Sequence, residues 1–110
     1  MSNPGKLTYD NFGKFRQRWI YDADRLIGEA DEILSSSVAD SERAERLKRR
    51  AAKFLETAAG FYGRAGLGLQ AKAAWARAGG VYADLERTED ADRCNRCARA
   101  IPDYWKEAET

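Results

Sequence analysis

Two cysteines have the spacing that most closely matches a chemical motif. Cys94 and Cys97 form a C-x-x-C pair, which serves elsewhere as half of a zinc site or as a redox couple. Zinc needs four ligands, and the chain has no second pair and no histidine. A redox pair places its first cysteine at a helix N-terminus, whereas Cys94 falls inside the helix predicted after Thr88. We therefore interpret both cysteines as small core residues and predict no metal and no cofactor.

The other residues capable of catalysis do not form a complete set. The chain has no histidine, which removes the commonest general base and the commonest metal ligand. Acidic residues recur around Asp22 and Glu29, but without the Glu-x-x-His element that a di-iron helical bundle requires. We interpret them as a solvated helix face. No catalytic residue is predicted, and the sequence favours a non-enzymatic protein without deciding the question.

Basic residues cluster near the start of the second predicted helix. The basic patch consists of Arg43, Arg46, Arg49 and Arg50, and Lys53 follows it. A cationic stripe suits the phosphates of a nucleic acid. However, the net charge is only +1, and the aromatic residues fall at core spacing rather than among the charges. We interpret the patch first as solvated surface, then as a surface for a protein partner, and rank nucleic acid last.

Helical periodicity extends over most of the 110 residues. Apolar residues recur in alternating steps of three and four over about 9–35, 41–65, 69–86 and 88–101, whereas no segment alternates with a period of two. The pattern predicts an all-α fold with four helices in a single domain over 8–102. Residues 1–7 are predicted to be a flexible tail, and residues 103–110 a C-terminal tail that contains Tyr104 and Trp105.

Local signals mark where the helices begin and end. Asp40 or Ser41 is expected to cap the second helix, and Thr88 the fourth. Gly66 is expected to end the second helix in a left-handed conformation. The pair Gly79-Gly80 lies inside the third helix, where we predict a close approach of a neighbouring helix rather than a kink.

An internal repeat points to stacked helices. Four residues recur 20 positions later: Ala59, Tyr62, Ala71 and Ala78 return as Gly79, Tyr82, Ala91 and Ala98. A helix of this kind cannot bury its apolar stripe alone, so neighbouring helices must cover it. The second and third helices also carry large, small, aromatic and glycine positions in a fixed order: Leu55, Ala58, Ala59, Tyr62, Gly66, Ala71, Trp75 and Ala78.

Over about residues 52–82 this order resembles a tetratricopeptide repeat, or the related helical repeat of the soluble NSF attachment proteins. The match departs from the family at the turn, because no acidic residue follows the turn glycine in Gly66-Leu67-Gly68. The resemblance implies four antiparallel helices stacked as helical hairpins. A simple up-down four-helix bundle is the alternative architecture.

The resemblance also implies a protein–protein interaction module, an adaptor that binds a peptide or a helix of a partner. The predicted partner-binding residues lie on the face of the second helix opposite the third: Lys53, Glu56, Gly60, Gly63 and Arg64. The glycines would let a ligand backbone come close, and the two cations would receive carboxylates. The family's carboxylate-clamp pattern is incomplete, because Glu56 and Gly60 stand where lysine and asparagine would be needed.

Two other functions stay open. One is a helical bundle that binds a small apolar ligand or serves as an accessory enzyme subunit, suggested by the 11% aromatic content and the glycine-rich third helix. The other is a nucleic-acid-binding accessory protein that uses the basic patch. A homodimer through the first helix is compatible with each. Because no signal peptide and no membrane-spanning run are visible, we expect a cytoplasmic protein without membrane contact.

Overall fold

Four helices make up the described part of the chain, residues 9–36 and 40–102 of this computed structural model. Helix α1 spans Tyr9–Ser35, α2 spans Ser41–Arg64, α3 spans Gly68–Asp84 and α4 spans Thr88–Arg99. These residues contain no strand, so the predicted all-α class is confirmed. Both predicted tails, 1–7 and 103–110, lie outside the described residues.

The helices pack in chain order, α1 on α2, α2 on α3 and α3 on α4. Residues 65–67 join α2 to α3, and residues 85–87 join α3 to α4. Such short connections make neighbouring helices antiparallel. The described parts of α1 and α4 form no extensive contact with each other. The architecture is therefore an open stack of helices, which differs from the closed bundle considered as the alternative.

The core is built largely from alanine. Among the residues whose burial the structure describes, twelve of the eighteen buried apolar residues are alanines, and Leu55 and Cys94 are the largest side chains that are fully buried. Small residues allow helix backbones to approach closely, as at Gly79 of α3. A Cβ atom at Gly79 would lie 2.6 Å from Asn95 Oδ1 and 3.4 Å from the Ala91 carbonyl oxygen, both in α4. The predicted close approach of a neighbouring helix is therefore confirmed at Gly79, whereas a Cβ atom at Gly80 would meet nothing within 4 Å.

The two short turns have the same backbone geometry. Gly66 ends α2 with a φ of 80°, as predicted, and the Leu67 N–H donates to the Tyr62 carbonyl at 2.9 Å. At the end of α3, Glu86 has a φ of 59°, and the Arg87 N–H donates to the Tyr82 carbonyl at 2.9 Å. The turns therefore match at the 20-residue offset found in the sequence. A side chain at the left-handed position costs about 1 kcal/mol more than glycine.

The helix starts agree with the sequence at α2 and differ at α4. Asp40 Oδ1 caps α2 by accepting from the N–H groups of Glu42 and Arg43, at 2.9 and 3.2 Å. The predicted cap by Thr88 is wrong. Arg87 occupies the N-cap position without a side-chain cap, and Thr88 is the first residue of the helix. The hydrogen bond from Arg87 to the end of α3 fixes the turn, so helix α4 begins directly after it.

Candidate partner-binding groove

An open groove of about 670 Å³ lies between α2 and α4, above the end of α3. Its walls carry six cationic side chains and two carboxylates, a formal excess of four positive charges. Helix α2 supplies one wall through Arg46, Arg49, Arg50, Lys53, Glu56 and Thr57, and the other wall and the floor come from Tyr82, Arg87, Asp90 and Arg93. We call this feature the α2–α4 groove.

The carboxylates of the groove are already engaged by its α4 side. Arg93 donates to Glu56 Oε1 at 2.5 Å and to Asp90 Oδ1 at 3.2 Å, and Arg87 donates to Asp90 Oδ2 at 2.9 Å. The Tyr82 hydroxyl donates to Glu56 Oε2 at 2.6 Å. Helices α2, α3 and α4 are thus joined through one glutamate. The two acids of the groove are neutralised within the protein.

Burial and hydrogen bonding act in opposite directions on the Glu56 carboxyl. Burial raises its pKa, whereas the hydrogen bonds from Arg93 and Tyr82 lower it, and the net pKa lies below the ordinary value. The pKa of the Tyr82 phenol is raised by burial and by its bond to Glu56. Hydrogen bonds from Arg87 and Arg93 hold the pKa of Asp90 below its usual value. At neutral pH the network therefore contains two ionised carboxylates and a protonated phenol.

The cations on the α2 side have no such carboxylate partners in the part of the chain that the structure describes. Arg46, Arg50 and Lys53 are exposed, and Arg49 is half-buried. None of these four forms an ion pair with a carboxylate of the described residues. The Arg50 guanidinium lies 5.4 Å from the centre of the Phe54 ring, which holds this side chain against the helix. Three of the four excess positive charges therefore lie on the α2 wall, where four cations outnumber the single carboxylate of Glu56.

The groove contains parts of both residue sets that the sequence predicts on the second helix. It brings Arg46, Arg49 and Arg50 of the basic patch together with Lys53 and Glu56 of the predicted partner-binding set. The remaining members of both sets do not line it: Arg43, Gly60, Gly63 and Arg64 are exposed elsewhere on α2.

The outlying members of both sets lie on the open surface of α2. Gly60 and Gly63 face open space, because a Cβ atom at either would meet nothing within 4 Å. The Arg64 guanidinium lies 5.9 Å from the centre of the Phe61 ring. By helix geometry Arg64 is about 16 Å further along the axis than Lys53.

The sequence alone does not reveal the residues that α3 and α4 contribute. Tyr82 stands out only as a member of the repeat, and Arg87, Asp90 and Arg93 belong to no predicted site. Their partner Glu56 is 37 residues from Arg93 in the chain. The repeat does offer a signal for Tyr82, because this residue matches Tyr62 at the 20-residue offset. The Tyr62 hydroxyl likewise donates to a carboxylate, Asp24 Oδ1 of α1, at 2.5 Å. Each tyrosine of the 20-residue offset therefore binds a carboxylate of the preceding helix.

Neither cysteine lines the groove, although Cys94 lies close to the groove residues Glu56 and Arg93. Both thiols are free, Cys94 is fully buried in the α3–α4 interface, and Cys97 is half-buried. Burial, together with the charge of Glu56, raises the pKa of the Cys94 thiol to about 11, so this sulfur is protonated at neutral pH. Among the described residues no group of three or more potential ligands could hold a metal ion.

Comparison with known proteins adds no relative. No family model, no curated protein and no solved structure matches this chain. In the part of the chain that the structure describes, no helix combines the length and the apolar character needed to cross a membrane. The α2–α4 groove carries an excess of cationic side chains, which could hold an anion by charge and hydrogen bonds.

Proposed function

We propose that this protein is a non-enzymatic interaction module that binds an acidic segment of a partner protein in the α2–α4 groove. The observation that carries the proposal is the unequal distribution of charge within the groove. The carboxylates Glu56 and Asp90 are satisfied by Arg87, Arg93 and Tyr82, whereas the cations of the α2 wall form no ion pair with any carboxylate of the described residues. An acidic ligand would supply the missing charge.

The dimensions of the cationic wall suit an extended peptide. Arg46 and Lys53 are two turns apart on α2, so their Cα atoms are separated by about 10 Å along the helix axis. This distance corresponds to about three residues of an extended chain. Carboxylates at alternate positions of such a peptide would come within reach of successive cations. The ion network between Glu56 and Arg93 keeps the opposite wall in place.

The other two functions fit the groove less well. A small apolar ligand requires an apolar cavity, whereas this groove is open and lined mainly by charged side chains. Single-stranded nucleic acid binds to exposed aromatic rings between cations. Here the Phe54 ring is covered by Arg50, and the Tyr82 side chain is buried with its hydroxyl bonded to Glu56. A protein segment that contributes carboxylates remains the best match.

A charge-matched pair of variants tests the proposal. R46Q/K53Q removes two charges from the groove, and R43Q/K48Q removes two charges from exposed positions of the same helix outside it. The probe is a fluorescein-labelled peptide of glutamate, serine and glycine, and its binding is followed by fluorescence polarisation at low salt. Each exposed ion pair between the protein and the peptide contributes up to about 1 kcal/mol to binding. Because R46Q/K53Q removes two such pairs, we expect it to weaken binding about fivefold or more.

The controls separate the groove from general charge attraction. R43Q/K48Q should bind the peptide within about twofold of the unaltered protein. A peptide with glutamine at every glutamate position should not bind. Equal losses for the two double variants would place the interaction outside the α2–α4 groove. Stronger binding to an RNA oligonucleotide than to the acidic peptide would favour the nucleic-acid alternative instead.

A further inference from the structure

We infer that the α2 wall of the groove recognises a phosphoserine or phosphothreonine side chain within the acidic segment of the partner. The inference rests on the proposed function, because it names the group that the cationic wall would select. The cations of this wall are Arg46, Arg49, Arg50 and Lys53. Three of its four cations are arginines, whose planar guanidinium groups donate two parallel hydrogen bonds to a phosphate.

The spacing of the four cations allows several of them to reach one phosphate. Arg46 and Arg50 are separated by four residues, as are Arg49 and Lys53. Side chains at this spacing are neighbours on the helix surface, with Cβ atoms about 6 Å apart. Long, flexible side chains from two adjacent turns can therefore converge on a single tetrahedral anion. A phosphate offers three terminal oxygens to such a set of donors, whereas a carboxylate offers two.

The charge of the wall is better balanced by a phosphate than by a carboxylate. Like charges at a spacing of four residues destabilise a helix. No ion pair joins these cations to a carboxylate of the described residues, and Glu42 and Glu45, four residues before Arg46 and Arg49, offset only part of their charge. A phosphate monoester carries about two negative charges at neutral pH, whereas a carboxylate carries one. One phosphate therefore neutralises as much of the wall as two carboxylates, which would have to occupy separate positions.

The rest of the groove favours a protein-borne phosphate over the phosphates of a nucleic acid. The carboxylates of Glu56, on the α2 wall, and Asp90, on the α4 side, line the same groove and belong to the ion network. A polyanion that followed the groove would bring its next phosphates toward these acids, whereas a single phosphorylated side chain need not approach them. The backbone N–H groups on either side of a phosphoserine are hydrogen-bond donors, so they can lie beside the carboxylates of the groove without repulsion.

Three forms of one peptide test the inference on the full chain. The acidic peptide is prepared with serine, phosphoserine or glutamate at its centre, and binding is measured by fluorescence polarisation. We expect the phosphoserine form to bind about tenfold more tightly than the serine form and about threefold more tightly than the glutamate form. R46K/R49K keeps the charge of the wall but removes two guanidinium forks. It should reduce the tenfold preference to about threefold or less, with little change for the glutamate form.

The outcomes distinguish the phosphate site from the proposed function. Equal binding of the serine, phosphoserine and glutamate forms would overturn the phosphate site and leave the acidic-segment function standing. Failure of all three forms to bind would overturn both. A preference for phosphoserine that survives in R46K/R49K, or that falls equally in R43Q/K48Q, would also overturn the assignment to this wall. Tighter binding of a uridine oligonucleotide than of the phosphoserine peptide would overturn it in favour of nucleic acid.

Discussion

At the scale of single residues, Glu56 holds the groove together. Its carboxylate accepts hydrogen bonds from Arg93 of α4 and Tyr82 of α3, and only about one-fifth of its side chain is exposed. The sequence predicts Glu56 as a partner-binding residue from its position on a helix face. Its internal role could not be predicted, because helical periodicity shows which residues share a face of one helix and not which side chains of other helices meet them.

The pH dependence of stability should reveal this role of Glu56. Because the folded-state pKa of Glu56 is lowered, its contribution to stability is present above the unfolded pKa of about 4.3 and is lost as the pH falls through the folded value. Urea unfolding should show E56Q to be less stable than the unaltered protein at pH 7 by about 1 kcal/mol. The difference should shrink steadily below about pH 4.3. A difference that is independent of pH would contradict this account.

The two cysteines should differ in reactivity. Cys94 is fully buried, and burial raises its pKa to about 11, whereas Cys97 is half-buried. Because the thiolate is the reactive form, iodoacetamide at mildly alkaline pH should label Cys97 well before Cys94. Peptide mass spectrometry after timed quenching measures both rates, and labelling in urea provides the fully reactive reference. Equal rates in the folded protein would contradict the burial of Cys94.

At the scale of elements, the sequence predicted most of the helix boundaries. Asp40 and Gly66 act through local chemistry, the first by accepting from nearby N–H groups and the second by adopting a positive φ. Such signals can be found without knowing the fold. The sequence has no such local signal at the turn before α4, because Glu86 occupies the left-handed position that glycine usually fills. The boundary there depends on the packing of α3 against α4, which a single sequence does not show.

Glycine at the second turn should stabilise the protein. Replacing Glu86 by glycine removes the strain of a side chain at a φ of 59°, and we expect a gain of about 1 kcal/mol in the free energy of unfolding. The matched change Gly66→Ala, at a φ of 80°, should cost a similar amount. Urea unfolding of both variants measures the two effects. A loss of stability in E86G would show that this turn is not strained.

Alanine substitutions test the two exposed glycines that the sequence assigned to partner binding. Gly60 and Gly63 have open space where the Cβ atom of an alanine would lie, and alanine is a better helix former by about 1 kcal/mol at each interior site. G60A/G63A should therefore be more stable. Because neither glycine lines the α2–α4 groove, the same variant should bind the acidic peptide with unchanged affinity. Weaker binding would show that the peptide extends along α2 beyond the groove.

At the scale of the whole molecule, the stack creates two faces with different charge. The α2–α4 groove is cationic, whereas a second groove between α1 and α3 contains Asp31 and Glu32, with Arg77 bridging to Asp31. A net charge of +1 hides this separation, because composition averages over the surface. The sequence predicted the helices and the cations of α2. The opposite wall of the groove could not be predicted, since it depends on contacts between α2 and α4 across α3.

The most direct test of the proposed function is to map where an acidic peptide binds. The peptide of glutamate, serine and glycine is titrated into the isotope-labelled full chain, and backbone amide shifts are followed by NMR at low salt. We predict that the shifts concentrate on residues 46–57 of α2 and on residues 82–93, with α1 residues 13–30 unaffected. Shifts centred on the α1–α3 groove around Arg77, or spread evenly over the surface, would contradict the account.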